Sequence, residues 1–132
     1  MAGLILTLGS NACGPTGKAD SIQLSADCMS AGMKSFDHLK EDVQEHSPGL
    51  TVAEPKYHFN PRLHACLMQV EYWSPLGGVK AVINVYENKT ILGATDSRGA
   101  NGTTDVAGER NGQPDKRVYV SFDSEAEKLM SE

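Results

Sequence analysis

Residues Tyr57–Tyr86 read YHFNPRLHACLMQVEYWSPLGGVKAVINVY, the densest apolar and aromatic stretch of this 132-residue chain. It holds the single Trp, two of the four His residues and one of the three Cys residues. Within it, His64, Cys66, Met68, Val70 and Tyr72 alternate with Leu63, Ala65, Leu67, Gln69, Glu71 and Trp73, the two-residue period of a strand. Ser74-Pro75-Leu76-Gly77-Gly78 has the chemistry of a hairpin connection. Val79–Tyr86, rich in β-branched residues, reads as the return strand, and Glu87-Asn88-Lys89 turns it into a further strand, Thr90–Ala94. Upstream, Thr51–Asn60 predicts an extended segment that Pro55 places at an edge.

Outward from this hairpin, Ser25 is placed to cap a helix ending near Glu45, and Ser47-Pro48-Gly49 stops it. Cys28, Gly32, Phe36, Leu39 and Val43 fall within about 80° of one another on that helix, and Met29 and Met33 widen the stripe. Gly32 costs helix propensity, about 1 kcal/mol against Ala, so its place on the apolar face implies a close approach of the sheet. On the other side, Thr95–Lys116 has almost no apolar residues and carries Gly at 99, 102, 108 and 112, which predicts a mobile Gly-rich loop over 95–116. Val118, Val120 and Phe122 alternate as a last strand, and Ser124 with Glu127 forms a capping box for a short terminal helix. The expected fold is α+β: a small antiparallel sheet of three to five strands with one main helix packed on one face, in two layers.

Composition narrows the function classes. The chain has 17 Asp plus Glu against 12 Lys plus Arg, a formal charge of −5, and no basic stripe of the kind a phosphate backbone requires, so nucleic acid is not an expected partner. Hydrophobic content of 39% supports one packed domain, and no apolar run approaches the roughly 20 residues of a membrane-spanning helix. The N-terminus, MAGLILTLGSNAC, carries a short apolar run from Gly3 to Leu8, then small and polar residues, then Cys13. That pattern is similar to the tail of a bacterial lipoprotein signal, with Cys13 as the lipidated residue; the alternative is an N-terminal strand. The chain therefore divides into a signal-like segment and tether over 1–20, with Gly14–Asp20 as the tether, and a single domain over 21–132.

Three Cys residues leave one unpaired. If Cys13 takes lipid, Cys28 and Cys66 are free to pair, which would tie the predicted helix to the middle of a strand. The alternative is two separate buried thiols in a cytoplasmic protein. His64, Cys66 and Met68 share one face of the predicted strand, with His58 near in sequence, and imidazole, thiolate and thioether together form a soft set suited to copper. The same His64 and Cys66 could serve a thiol-dependent enzyme if an activating base and an open cleft were present. Tyr57, Phe59, Tyr72 and Trp73 are candidates for an aromatic recognition patch, or for core.

The segment Tyr57-His58-Phe59-Asn60-Pro61-Arg62-Leu63-His64-Ala65-Cys66-Leu67 resembles the Tyr/Phe-Asn-x-x-Leu-x-x-Cys signature of small bacterial envelope proteins of unknown activity, many of them lipoproteins. Cys28 and Phe36 match the Cys and Phe of that family's preceding helix, and Val82–Leu92 resembles its following strand. The resemblance implies a periplasmic or membrane-anchored location in the cell envelope, and brings no catalytic residues, cofactor or established partner with it. The resulting expectation is a non-enzymatic envelope domain with a binding or structural role toward a protein or small molecule. It touches a membrane only through an anchor at Cys13.

Overall fold

The computed structural model describes residues 17–132. In chain order the elements are α1 (Gly17–His46), β1 (Thr51–Val52), β2 (Lys56–Asn60), β3 (Ala65–Ser74), β4 (Gly77–Asn84), β5 (Lys89–Arg98), β6 (Thr104–Arg110), β7 (Gln113–Pro114) and α2 (Arg117–Ser131). The fold is α+β, as its alternation of periods implies, but the sheet has seven strands rather than three to five. From β3 to β7 each strand pairs antiparallel with the next, so the sheet is a meander joined by tight turns. Ser74 faces Gly77 across a two-residue loop. At the far edge Arg110 faces Gln113 across Asn111-Gly112, both with positive φ (51° and 82°), the turn in which Asn-Gly is favoured.

β1 and β2 lie on the same edge of β3, one against Tyr72–Trp73 and the other against Ala65–Gln69. The extended segment predicted over Thr51–Asn60 is thus an edge strand interrupted at Ala53–Pro55. Pro55 has no N–H to give a ladder, whereas the Ala53 N–H still reaches the Glu71 carbonyl at 2.9 Å.

Residues Ala65–Met68 are all buried, so the first half of β3 is covered on both faces. On one face Met68, Val70 and Ala81 pack with Phe36 and Leu39 of α1 and with Tyr57. On the other, Ala65, Leu67, Val82, Leu92 and Ala94 pack with Val118, Phe122 and Ala126 of α2. The protein therefore has three layers, helix, sheet and helix, and not the two-layer arrangement with a single helix.

α1 begins at Gly17, eight residues ahead of the expected Ser25 cap. Nothing from Lys18 to Leu24 breaks a helix, and Asp20 in the first turn complements the helix dipole; residues 17–20 of the expected tether are helical. The stripe Cys28, Gly32, Phe36, Leu39 and Val43 does face the sheet. Gly32 lies directly against the Tyr57 ring, where a Cβ would overlap it. Met29 and Met33 do not join the stripe, for they are 52% and 54% exposed.

The stretch 95–116 is not a loop: it completes β5, forms β6 and β7, and is paired throughout except at its turns. Its polar residues fit a sheet edge that α2 covers only where it starts, over Gly108. Residues 118–122 are helix and not strand, so Ser124 and Glu127 lie inside α2 and cap nothing. Val118, Phe122 and Ala126 recur every four residues and are buried, while Val120 is 88% exposed.

α2 is held on the sheet by polar ties as well as by this stripe. Arg110 of β6 donates two hydrogen bonds to Glu125, at 2.5 and 2.9 Å, and the Ser121 hydroxyl donates to the same carboxylate. These donors hold the Glu125 carboxyl down to about 2, the Arg110 bonds contributing most and Ser121 next. Asp115 accepts the Arg117 N–H at 3.1 Å ahead of the first turn. At the other end the Asn60 amide, fully buried, donates to the Leu129 carbonyl at 3.0 Å. Gly108 lies beneath the start of α2, against the Asp115 carbonyl and the Tyr119 amide, so any side chain there would lift the helix.

Candidate ligand cleft

α2 starts above Gly108 of β6 and ends beside Asn60 of β2, so it crosses the sheet obliquely. The end of that face nearest the β3–β4 hairpin stays uncovered, leaving an open cleft of about 470 Å³. Register assembles its floor. Trp73 is opposite Gly78, Gly78 opposite Asp96 and Asp96 opposite Val106, while Glu71, Lys80, Ala94 and Gly108 form the next row. Directly opposed residues in an antiparallel pair share a face, so each row presents its side chains together. Gly78 and Ala94 contribute almost no bulk, which makes the floor concave between Trp73 and α2.

The polar groups of the cleft are individually placed. The Asp96 carboxylate accepts the Gly78 N–H at 2.7 Å and the Tyr119 hydroxyl at 3.4 Å, which fixes it in the centre. Lys80 lies 3.2 Å from Asp123 of α2 and 3.9 Å from Glu71 of β3, so its ammonium is shared between two carboxylates. Arg98, two residues beyond Asp96 on β5, also lines the cleft and makes no ion pair among the described residues. Trp73 is 44% exposed at the opposite wall. An aromatic plane, an anchored acceptor and a fork of donors without an ion pair among the described residues surround a hollow of the size that small-molecule sites have.

A second hollow, about 540 Å³, lies on the α1 side, where β4–β6 extend beyond that helix. Leu39, Tyr72, Val79, Ala81, Ile83 and Ala107 line it. It is mainly bare apolar sheet, with few groups that would orient a ligand.

The residues singled out from sequence are distributed differently. Cys28 and Cys66 form a disulfide, with Cα atoms 5.3 Å apart, that fastens α1 to β3. Cys66 therefore offers no thiolate to a metal or to an enzyme mechanism. Met68 is buried under α1, 1% exposed. His64 is not in the strand at all: it occupies the β2–β3 turn with φ 51°, its ring edge-on to Phe59 at 5.6 Å between centroids. The copper set His64, Cys66 and Met68 is thus not assembled, and among the described residues no group of three or more His, Cys, Asp or Glu side chains converges as metal ligands. The aromatic patch also divides. Tyr57, Phe59 and Tyr72 share the α1 face with Met68 and Cys66, whereas Trp73 points to the cleft. Burial first, and nearby carboxylates second, push the Tyr57 and Tyr72 phenols up, so neither is poised to act as a base. Cys13 lies outside the described residues.

Glu71, Lys80, Asp96, Arg98, Tyr119 and Asp123 were not identified from the sequence as site residues. Asp96 and Arg98 lie in a stretch, Thr95–Arg98, that is polar at every position and so has no apolar alternation to mark a strand. The Asn111-Gly112 turn was the local sign that this region is a hairpin. Comparison of the chain with protein-family models, with curated proteins and with solved structures finds no match.

Proposed function

We propose that this protein is a non-catalytic binding domain of a bacterial cell envelope and that the cleft between Trp73 and α2 is its ligand site. The observation that carries the binding role is the cleft itself, where Trp73, Asp96 and Arg98 converge on a concave floor. The Cys28–Cys66 disulfide supports an oxidising compartment, since such bridges persist outside the reducing cytosol. The resemblance of Tyr57–Leu67 to envelope proteins supports the same placement. Cys13 is then the proposed lipid anchor; among the described residues no helix is long and apolar enough to cross a membrane. A soft-metal or thiol function has no observation in its favour, with Cys66 engaged in the bridge.

Trp73 is the only Trp, so its fluorescence reports on the cleft alone. A low-molecular-weight fraction of the native cell envelope should protect Trp73 from acrylamide quenching in a saturable way. Unchanged quenching at every concentration would remove the cleft as a ligand site. For the compartment, thiol labelling in intact cells should find Cys28 and Cys66 blocked, and mass spectrometry should find the mature chain beginning at a lipidated Cys13. Free thiols together with an intact Met1 would place the protein elsewhere.

A further inference from the structure

We infer that the cleft takes a neutral carbohydrate of one or two pyranose rings, stacked on Trp73 and hydrogen-bonded between Asp96 and Arg98. The inference rests on the cleft being the ligand site and adds the chemical class of the ligand. Five charged side chains line the cleft, the acids Glu71, Asp96 and Asp123 and the bases Lys80 and Arg98. Lys80 already satisfies Asp123 and Glu71. That leaves Asp96 and Arg98, one charge of each sign, so a strongly charged ligand of either sign meets a like charge beside its partner. A neutral ligand rich in hydroxyls avoids both penalties, because each hydroxyl donates and accepts.

The remaining groups match a sugar ring in kind and spacing. Asp96 is an acceptor and Arg98 a donor, and both lie on one face of β5, two residues and so about 7 Å apart. That is the scale of a single pyranose, whose hydroxyls around the rim would donate to the carboxylate and accept from the guanidinium. The exposed indole supplies the apolar plane that the C–H face of such a ring covers. Trp73 is not stacked on another aromatic ring among the described residues. Gly78 between Trp73 and Asp96 keeps the floor low: a Cβ there would lie 3.3 Å from the Trp73 Cβ and 3.6 Å from Asp96 Oδ1, inside the space a ring needs. A volume of about 470 Å³ accommodates one or two rings and falls within the usual range for small-ligand sites.

The test is a titration of Trp73 emission in the full chain with cellobiose, maltose and N,N′-diacetylchitobiose, with spermidine and glucuronate as charged comparators. At least one neutral disaccharide should give a saturable change whose midpoint does not move when salt is raised. Asp96→Asn and Arg98→Ala should each weaken that binding about tenfold, the loss of one charge-assisted hydrogen bond. Both positions are at the surface end of β5, and unchanged circular dichroism would confirm that the variants fold. Trp73→Ala, followed by calorimetry, should abolish the binding heat. No saturable response to any of the three sugars overturns the inference, as does a response confined to spermidine or glucuronate that salt abolishes. In either case the quenching assay separates the two levels: continued protection by the envelope fraction leaves the site standing with a different ligand class, and no protection removes the site as well.

Discussion

Removing the bridge by Cys28→Ala/Cys66→Ala should destabilise the protein by about 4 kcal/mol, mainly through the unfolded state. The two cysteines are 38 residues apart in sequence, and closing a loop of that size removes roughly 13 cal/mol/K from the denatured chain, or about 4 kcal/mol at room temperature. Both residues are fully buried, so Ala is the appropriate replacement; a Ser hydroxyl would add an unpaired polar group. Unfolding entropy near the midpoint is about 2.1 cal/mol/K per residue, or about 0.24 kcal/mol/K for residues 17–132, which converts the loss into a Tm lower by about 16 °C. The assay is urea and thermal unfolding of wild type, the double variant, and wild type in reductant. The last two should agree. The urea m-value should also rise in the double variant, because a chain without a cross-link exposes more surface when unfolded. A loss below about 1 kcal/mol with an unchanged m-value would refute the chain-entropy reasoning and would mean that α1 is held by packing alone.

Three further outcomes follow from the packing and the ion pairs. Phe122→Ala should cost about 3–5 kcal/mol by emptying the centre of the α2 face, whereas Val120→Ala should be neutral in the same urea titration; equal costs would point to a strand register. Gly32→Ala should destabilise by about 1–3 kcal/mol despite its better helix propensity, because the new methyl overlaps the Tyr57 ring, and Tyr57→Leu in the same chain should recover part of the loss. Glu125→Gln should cost about 1 kcal/mol at neutral pH, a discounted figure because the pair is partly solvated. The Glu125 carboxyl is lowered to about 2 in the folded protein, so its contribution is complete above its unfolded value of about 4.3 and disappears as pH falls through about 2. The stability gap between variant and wild type should close over that acid range, and a gap independent of pH would exclude the linkage.

Much of the architecture around the central hairpin was legible because it depends on local periodicity. The stripe from Cys28 to Val43 repeats at helical spacing, and the β3–β4 pair alternates around a turn of Pro and Gly. Gly32 sits where a helix former would otherwise be expected, and its close neighbour is the Tyr57 ring. The segment Val118–Phe122 fits two periods at once. Val-x-Val-x-Phe satisfies the strand period, while Val118, Phe122 and Ala126 satisfy the helical one. What chooses between them is the second apolar face of the sheet, formed by Ala65, Leu67, Val82, Leu92 and Ala94, which requires a cover that a helix supplies. The stretch 95–116 shows neither period clearly, although it forms strands. β6 is mostly exposed and meets α2 only at its Gly108 end, so it can be polar and Gly-rich and still pair.

The sequence by itself determined the α+β class, the main helix with its buried face and the central hairpin, while whether Cys28 and Cys66 pair was decided by the tertiary structure. These follow from nearest-neighbour preferences and from the repeat of apolar side chains along one element. Only the tertiary structure decided the three-layer order, the fate of His64, Cys66 and Met68, and the cleft. Trp73, Gly78 and Asp96 come from three strands, and Tyr119 and Asp123 come from a helix at the other end of the chain. Strand register sets which residues stand opposite one another, and the oblique path of α2 sets which of them stay uncovered. Neither is encoded in any single stretch.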